Sequence, residues 1–386
     1  MILTYKQEEG LKIAIQRYKD RERYTVISGY AGSGKSTLVK FIISALGLYN
    51  EDVAYIAYTG KAALVLKEKG CPNATTAHKL LYQSFPRKDG TFYHKPRRPL
   101  EYPYKLIIVD EVSMLPKEMW DLLLSHRVHV IALGDPGQLP PIGEDNEILA
   151  QPHIFLDEIM RQAQESEIIR LTMDVRAGKS LSLYKGNEVQ IIDKKELVSG
   201  MFTWADQILV AKNDTRFKIN QLMRSYLHNV WDSTYPVEGD KVICLRNYWE
   251  EPNISGDVLV NGTIGYITNL EKPNRVHPLF IGHVVNAKFT PDYGESSFEN
   301  TLIDNKLLTT GNSIINNNNF NIFKNVPNKP KHFDYGYAIT CHKAQGSEYN
   351  KVLVLEEWLK GGDHARWLYT AATRAKEKLV IVKDYK

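Results

Sequence analysis

The chain has 386 residues, of which 43% are hydrophobic and 24% are charged. This composition is ordinary for a soluble globular protein and leaves room for two or more domains. A net charge of +4 permits a polyanionic partner without requiring one. Cys71, Cys244 and Cys341 lie far apart with no C-x-x-C spacing, which argues against a zinc site and a disulfide framework. The longest apolar run, around 41–48, is too short to cross a bilayer, so we expect a cytoplasmic protein with no membrane partner.

The first predicted helix follows Thr4 and carries Leu11, Ile15 and Tyr18 on one face. Thr4 and Gln7 have the spacing of a capping box, in which the Gln7 side chain closes the start of the helix. A second interpretation places the Gln7 amide on the edge of an adenine base, because the residue lies just before the glycine-rich loop described next. Spacing alone leaves both interpretations open.

Residues 29–37 read G-x-x-x-x-G-K-S-T, between a predicted strand at 24–28 and a predicted helix at 36–46. A strand, a glycine-rich turn and a helix N-terminus form the context of a phosphate-binding loop, whose backbone N–H groups and helix dipole attract phosphates. Lys35 would reach the β- and γ-phosphates of ATP, and the Ser36 hydroxyl would bind Mg²⁺. The alternative is a turn that binds nothing. The predicted ATP contacts in the loop are Gly29, Ala31, Gly32, Ser33, Gly34, Lys35, Ser36 and Thr37.

A second strand at 53–58 leads into Thr59-Gly60-Lys61 and another helix, and Thr76 and His78 follow. This alternation of strands and helices predicts an α/β fold with a parallel sheet. Ligands bind such sheets at the carboxyl ends of the strands, so the Thr59–Lys61 turn should lie on the same rim as the phosphate loop.

Residues 84–104 interrupt the alternation with a hairpin turn at Asp89-Gly90. The segment 81–103 has five basic residues against two acidic ones, and five aromatic residues are interleaved with them. Basic residues bind phosphates and aromatic rings stack on bases, which favours nucleic-acid contact. A solvated basic hairpin that packs its aromatic side chains on the domain is the alternative.

Carboxylates follow the next predicted strand, 105–109, as Asp110 and Glu111. Asp110 would bind Mg²⁺ directly or through water, and Glu111 would polarise the attacking water. Gln138 follows a strand at 128–133 on the same rim and could sense a γ-phosphate. These positions together predict hydrolysis of a nucleotide.

The second half has an α/β pattern at about 165–246 that resumes after about 331. Between them, short β-like runs separated by Gly, Pro and Asn predict a small inserted β-barrel.

Taken in order, these motifs resemble those of superfamily 1 DNA helicases, and in detail the RecD-like branch that moves 5′→3′. The layout and small size are most similar to compact phage members of that branch. The motifs that carry the resemblance are 29–36, 59–63, 76–78, 110–113, 134–141, 161–162, 340–348 and 369–375.

The resemblance implies two RecA-like parallel-sheet domains with ATP bound in the cleft between them. It also implies a β-hairpin insertion in the first domain and a small SH3-like β-barrel insertion in the second. The implied boundaries are 1–81 with 104–160 for domain 1, 82–103 for the hairpin, 161–247 with 332–386 for domain 2, and 248–331 for the barrel.

The resemblance also assigns roles to residues. Arg374 would be an arginine finger and Arg161 a second arginine at the γ-phosphate, so that the catalytic set is Lys35, Asp110, Glu111, Gln138, Arg161 and Arg374. Gly346 and Glu348 would add nucleotide contacts. An arginine on the surface of a helix is the alternative for Arg374.

The implied contacts to single-stranded DNA are Thr59, Lys61, Thr76, His78, Pro140, Thr340, His342 and Lys343. His78 and His342 could instead be core or capping histidines. Phe92 and Tyr93 are the candidates for separating the strands of a duplex.

The resemblance therefore predicts a monomeric, ATP- and Mg²⁺-dependent DNA helicase that moves 5′→3′ in a bacterial or phage-infected host cytoplasm. Its partners would be single-stranded DNA and junctions of single- and double-stranded DNA, with replication or recombination proteins as further candidates. Two alternatives are a translocase that displaces bound proteins with little unwinding, and a nucleic-acid-binding module switched by nucleotide.

Overall fold

The computed structural model describes most of the chain, and the side chains of Ser84, Pro86, Phe92, Arg161 and Gln162 lie outside that description. The described residues are 3–86, 92–140, 147–231, 235–248, 253, 258–271, 277–292, 296–315, 329–359 and 363–385. The chain divides into two compact units, here unit 1 and unit 2. Unit 1 comprises residues 1–82, 96–213 and 340–386, and unit 2 comprises 83–95 and 214–339. The four predicted segments divide the chain differently, because predicted domain 2 falls partly in each unit. Their boundaries stay a prediction.

The strands are numbered in chain order. They are β1 (Tyr24–Gly29), β2 (Val53–Ala57), β3 (Thr75–Thr76), β4 (Tyr82–Pro86), β5 (Phe92–Pro96), β6 (Leu106–Val109), β7 (His129–Gly134), β8 (Ile154–Leu156), β9 (Tyr184–Lys185), β10 (Val189–Asp193), β11 (Gln207–Val210), β12 (Lys241–Cys244), β13 (Ile264–Glu271), β14 (Val284–Pro291), β15 (Phe298–Asp304), β16 (Phe333–Tyr335), β17 (Ala338–Thr340), β18 (Tyr349–Leu355) and β19 (Ala375–Lys383).

The helices are numbered in the same way. They are α1 (Tyr5–Lys19), α2 (Lys35–Ala45), α3 (Gly60–Glu68), α4 (Ala77–Leu81), α5 (Lys117–Ser125), α6 (Arg161–Gln164), α7 (Glu167–Arg176), α8 (Ser199–Trp204), α9 (Asn213–His228), α10 (Asn305–Thr310), α11 (Cys341–Ala344) and α12 (His364–Ala372).

Unit 1 is built on two sheets. The first has the strand order β3-β2-β6-β7-β1-β8, and all its neighbours are parallel. The strands β2, β6 and β7 are buried along their whole length, because helices cover both faces of a parallel sheet. Neighbouring residues of β1 therefore enter two different cores, with Ile27 packing beside α2 and Val26 beside Trp120 of α5.

The second sheet of unit 1 has the order β11-β18-β19-β10-β9. Its pairs are parallel except for β10 with β9, which lies at the edge. The predicted α/β fold with parallel sheets is thus confirmed. In the first sheet, predicted catalytic positions follow the carboxyl ends of strands, whereas Arg374 immediately precedes β19 of the second sheet.

Unit 2 contains an antiparallel sheet with the order β15-β14-β13-β12-β16. Irregular register between β13 and β14, near Ile267 and Asn269, marks a bulge in the pairing. The strands β4 and β5 pair with each other, and the Asp89-Gly90 turn predicted between them lies outside the described residues.

The three cysteines are buried, and none of them forms a disulfide bond. Cys71 is 9% exposed, whereas Cys244 and Cys341 are fully buried. Burial raises the pKa of the Cys71 thiol and raises that of Cys341 to about 12. Both thiols therefore stay protonated, and a protonated buried thiol is a poor nucleophile.

A buried histidine makes the stability of unit 2 depend on pH. His332 is 6% exposed, and its Nε2 lies 3.2 Å from the Ser313 hydroxyl, which donates to Asp304. Burial, with a further contribution from Arg246, lowers the pKa of His332 to about 4. In the unfolded chain, the His332 imidazole binds a proton at the ordinary histidine pKa. The stability that the buried neutral imidazole contributes is therefore fully present above that pKa and is lost as the pH falls towards 4.

We expect the wild-type protein to lose about 2 kcal/mol more of its unfolding free energy than His332→Gln between about pH 7.5 and about pH 5. Urea unfolding at the two pH values measures the difference. His283→Gln changes an exposed histidine of the same unit and should behave as the wild type does. Equal losses for His332→Gln and the wild type would contradict the buried neutral histidine.

Candidate nucleotide site and nucleic-acid interface

The loop between β1 and α2 has the shape that a phosphate cradle needs. Gly32 and Gly34 adopt left-handed backbone angles, with φ of 76° and 81°. A Cβ on Gly34 would overlap the Gln7 Nε2 atom, and the left-handed backbone angle also favours glycine there. The loop ends where α2 begins, at Lys35. The N–H groups of the first helical turn therefore point into the loop.

Lys35 folds back over this loop. Its ammonium donates to the carbonyl oxygens of Gly29 at 2.7 Å and Tyr30 at 3.0 Å. Burial lowers the pKa of Lys35, while the carboxylates of Asp135 and Asp110 oppose that shift. The cation is thus already desolvated at the position where a phosphate would meet it.

The predicted acidic pair lies directly after β6. The Asp110 carboxylate accepts the Glu111 backbone N–H at 3.0 Å. Glu111 has φ 48° and ψ 52°, a left-handed conformation that is strained for a residue with a side chain. Burial raises the pKa of both carboxyl groups, and it is opposed by Lys35 at Asp110 and by Arg374 at Glu111.

Arg374 lies at the end of α12 and is 4% exposed. Its guanidinium is 3.4 Å from Glu111 Oε1 and donates to the Ser347 carbonyl at 3.2 Å. The alternative of a solvent-exposed helix arginine is therefore wrong. The contact joins an arginine that precedes β19 in the second sheet to an acid that follows β6 in the first.

Gly346 brings the nucleotide and nucleic-acid motifs together. It has φ 74°, and a Cβ at this position would lie 3.1 Å from the Ala62 side chain and 3.3 Å from both Glu111 Oε2 and Thr59 Oγ1. Glu348, two residues further, pairs with Lys69 at 2.8 Å. The nucleotide contacts predicted for Gly346 and Glu348 stay predictions.

Gln7 takes part in two sets of contacts at once. Its side-chain oxygen accepts the Thr4 N–H at 3.1 Å, which closes the predicted capping box and confirms it. Its Nε2 group donates to the Ser33 carbonyl at 3.3 Å and lies 3.4 Å from the Met160 sulfur. The amide thus supports the phosphate loop, and its contact with adenine stays a prediction.

Thr59 and Thr76 begin the helices α3 and α4. Each hydroxyl oxygen accepts a backbone N–H of the following turn at 3.2 Å, from Ala62 and Lys79 respectively. A cap of this kind uses an oxygen lone pair, so the hydroxyl hydrogen can still donate to a phosphate.

Lys61 and His78, the other candidate nucleic-acid residues that precede β6, each contact an aromatic ring. Lys61 is 8% exposed, and its ammonium lies 4.2 Å from the centre of the Tyr349 ring. His78 is half-buried and stacks on Tyr82 with ring centres 4.6 Å apart. The core interpretation of His78 thus has direct support, and its contact with DNA stays a prediction.

The candidates of the second sheet lie around α11. Thr340 immediately precedes this helix, and His342 and Lys343 within it are half-buried. Burial lowers the pKa of His342, so the imidazole is neutral at neutral pH. Pro140 is half-buried at the last described residue of the loop after β7.

The hairpin aromatic residues are partly described. Tyr93 is half-buried and stacks on Phe85 with ring centres 5.5 Å apart, and the Lys95 ammonium lies 5.5 Å from the Tyr93 ring. The Phe92 side chain lies outside the described residues, so the choice between the two candidates stays open. The same holds for the Arg161 side chain, although the backbone of α6 begins at that residue.

The donor set suits Mg²⁺. Ser36 is exposed in the first turn of α2, and Asp110 offers a carboxylate, so both groups present oxygen atoms. Mg²⁺ binds through one or two protein oxygens together with phosphates and water. No cluster of three or more His, Cys, Asp or Glu that could hold a metal occurs in the described part of the chain.

Some functional residues were not assigned roles from the sequence. Asp135 and Tyr369 lie inside motifs that the sequence reveals, but the predictions give roles to Gln138 and Arg374 of those motifs and none to Asp135 or Tyr369. Their hydroxyl–carboxylate contact at 2.7 Å joins positions 234 residues apart. No local sequence pattern predicts a contact between residues so far apart in the chain.

Comparisons with known proteins agree on the family. Residues 6–199 match the family described as AAA domain, and residues 335–382 match the family described as UvrD-like helicase C-terminal domain. The ATP-dependent RecD2 DNA helicase of Deinococcus radiodurans is 28% identical over 384 residues, covering 92% of this chain and 46% of the relative. The ATP-dependent DNA helicase dda of Enterobacteria phage T4 is 28% identical over 191 residues, covering 46% of this chain and 43% of the relative.

A solved structure of Pif1 helicase from Bacteroides, in complex with ADP-AlF3 and single-stranded DNA, matches with a TM-score of 0.53 and 19% identity, covering 100% of this chain and 93% of that chain. A likeness at this identity supports the fold. The chain spans less than half the length of the two curated relatives named above. Among the described residues, no helix is long and apolar enough to span a membrane.

Proposed function

The chain belongs to the superfamily 1 helicases, and from that premise we propose that it is an ATP-dependent DNA helicase moving 5′→3′ on single-stranded DNA. The observation that carries the proposal is the contact between Arg374 and Glu111. An arginine of one sheet reaches the acid of the other at 3.4 Å, as a nucleotide site shared by two sheets requires. The names of the two curated relatives, both ATP-dependent DNA helicases, agree with this activity.

Lys35 and the N–H groups of the phosphate loop bind the β- and γ-phosphates in the proposed reaction. Glu111 orients and polarises the attacking water. Arg374 and Arg161 offset the negative charge that spreads over the γ-phosphate oxygens in the transition state. Ser36 and Asp110 would hold Mg²⁺, which would supply positive charge at the phosphates.

Movement requires that the grip on DNA differ between nucleotide states. The proposed link is Gly346, since its backbone lies against both the catalytic acid Glu111 and the helix cap Thr59. A shift of Glu111 when nucleotide binds would thus also displace the Thr59 hydroxyl, which we propose binds the DNA backbone. Thr76 and Pro140 in the first domain, with Thr340, His342 and Lys343 in the second, complete the proposed path.

The two insertions have proposed roles as well. The β4–β5 hairpin would part the duplex with an aromatic side chain, because Lys95 beside Tyr93 combines a cation with a stacking face. Three strands of the antiparallel sheet of unit 2, β13, β14 and β15, lie within 248–331, the segment that we propose as the SH3-like insertion. We further propose that the protein acts as a monomer at junctions of single- and double-stranded DNA.

Unwinding of duplexes that carry either a 5′ or a 3′ single-stranded tail tests the proposal. We expect ATP-dependent strand separation of the 5′-tailed duplex at a rate at least about tenfold above that of the 3′-tailed one. A real-time fluorescence assay measures both rates, and phosphate release is measured on the same substrates.

Preference for the 3′-tailed duplex would contradict the 5′→3′ assignment. DNA-stimulated phosphate release without strand separation would favour the protein-displacing translocase. Absence of phosphate release with either substrate would favour the nucleotide-switched binding module.

A further inference from the structure

The hydroxyl of Tyr369 joins two loops of the first sheet. Tyr369 lies in α12 and is 2% exposed. Its hydroxyl donates to Asp135 Oδ2 at 2.7 Å and accepts the backbone N–H of Ala31 at 2.9 Å. One hydroxyl from α12 therefore bridges the phosphate loop and the loop that follows β7.

The same tyrosine also packs tightly on the second of these loops. A Cβ on Gly137 would lie 3.0 Å from the Tyr369 ring, so the ring occupies the space that a side chain would need. The other carboxylate oxygen of Asp135 accepts the Gly137 N–H at 2.9 Å. Asp135 thus closes a short turn on one side and receives the tyrosine hydroxyl on the other.

Two further side chains from the second sheet hold the residue that follows Gln138. The Thr370 hydroxyl accepts the Leu139 N–H at 2.8 Å, and the Gln345 amide donates to the Leu139 carbonyl at 2.8 Å. Gln138 therefore lies between a glycine packed against Tyr369 and a leucine bonded to Thr370 and Gln345. Side chains of α12 and of the residue that follows α11 therefore hold the backbone on both sides of Gln138.

This arrangement makes Tyr369 the common point of three parts of the site. Ala31 belongs to the phosphate loop, Asp135 begins the loop of Gln138, and Arg374 follows Tyr369 by little more than one helical turn. Burial raises the pKa of the Tyr369 hydroxyl, so the group stays protonated and donates. A protonated hydroxyl can serve as donor and acceptor together, which a phenylalanine ring cannot.

We propose that Tyr369 is a positioning residue for ATP hydrolysis, because its hydroxyl bridges the Ala31 N–H and the Asp135 carboxylate and so aligns the phosphate loop, Gln138 and Arg374. The inference rests on the proposed ATPase activity. Its consequence is selective for nucleotides that carry a γ-phosphate, since Gln138 and Arg374 are the groups that would meet that phosphate. Binding of ADP depends on the phosphate loop and Lys35, which Tyr369 does not replace.

Tyr369→Phe removes the two hydrogen bonds and keeps the ring on Gly137. We expect its kcat for DNA-stimulated ATP hydrolysis to fall about tenfold to a hundredfold, because small losses of alignment are costly at a reacting centre. We expect its affinity for ADP to stay within about threefold, because ADP lacks the γ-phosphate that Gln138 and Arg374 would meet. Its preference for a non-hydrolysable ATP analogue over ADP, measured by displacement of a fluorescent nucleotide, should fall about tenfold.

Tyr335→Phe is the matched control. Tyr335 is also a buried tyrosine, in β16, and its hydroxyl has no hydrogen-bond partner among the described residues. It should leave kcat and the nucleotide preference unchanged. A merely structural role of Tyr369 would lower Tm and leave both values unchanged for the folded protein.

Asp135→Asn provides a second route to the same bond. If the two residues act through one bridge, the double variant with Tyr369→Phe should lose no more kcat than the more impaired single variant. Independent, multiplying losses would overturn the proposal, and so would an unchanged nucleotide preference in Tyr369→Phe. If Tyr369→Phe does not fold, the same loss of nucleotide preference in Asp135→Asn would support the proposal. An unchanged preference in Asp135→Asn would then overturn it.

The two proposals fail in different ways. A wild-type protein that releases no phosphate with DNA would contradict the proposed function. In that case the preference for the ATP analogue over ADP still tests the role of Tyr369. A wild-type protein that hydrolyses ATP while Tyr369→Phe retains its full kcat and preference would contradict only the inference about Tyr369.

Discussion

Replacement of Lys35 by alanine is expected to abolish ATP hydrolysis and unwinding together, with kcat/KM for ATP falling by about a thousandfold. The physical reason is that Lys35 is a desolvated cation held over the carbonyl oxygens of Gly29 and Tyr30. An alanine leaves those carbonyls facing the phosphates with no positive charge to offset them. Steady-state phosphate release and unwinding of a tailed duplex measure the two losses.

Lys40→Ala is the matched control for this experiment. Lys40 lies on the same helix, α2, but is exposed to solvent. It should retain wild-type hydrolysis and unwinding, and both variants should keep the wild-type circular dichroism spectrum. An active, folded Lys35→Ala protein would contradict the assignment of the phosphate loop.

Arg374→Ala is expected to lower kcat for ATP hydrolysis by about a thousandfold while changing affinity for ATP far less. Two effects combine. The variant loses the cation that would offset charge on the transferring phosphate, and it leaves the half-buried Glu111 carboxylate without its ion-pair partner. Loss of that partner raises the pKa of Glu111 further, so a larger fraction of the acid is protonated and cannot polarise water.

Single-turnover hydrolysis and equilibrium binding of a fluorescent ATP analogue separate the two effects of this substitution. Arg366→Ala is the control, since Arg366 is an exposed arginine in α12, the helix that ends just before Arg374, and should behave as the wild type does. Arg374→Lys keeps the charge without the planar fork and should fall between the wild type and Arg374→Ala. A wild-type kcat in Arg374→Ala would exclude an arginine finger at this position.

The parts of the site that could be predicted from the sequence are those that local geometry fixes. A buried strand followed by glycines and Lys35, or by Asp110 and Glu111, can end only at the carboxyl rim of a parallel sheet. Gln7 is an intermediate case. The spacing of Thr4 and Gln7 predicts the capping box. The hydrogen bond that the Gln7 amide donates to the phosphate loop depends on a residue 26 positions away.

The rest depends on contacts between distant segments. The Ala31 N–H meets a hydroxyl 338 residues later in the chain, and nothing near Ala31 encodes that partner. Lys61 is another example, because the resemblance implies a contact with DNA but does not indicate that the ammonium lies against the Tyr349 ring. Periodicity reveals which face of an element is buried, but it does not reveal which side chain of another element will lie on it.

The burial of all three cysteines has a practical consequence for watching the protein at work. Maleimide dyes react with accessible thiolates, and Cys71, Cys244 and Cys341 offer none at the surface. Cysteines introduced at the exposed positions 40 and 366 could therefore carry a donor and an acceptor dye without removal of a native thiol. The distance between α2 and α12 would then become a signal that follows single molecules through each round of nucleotide binding and release.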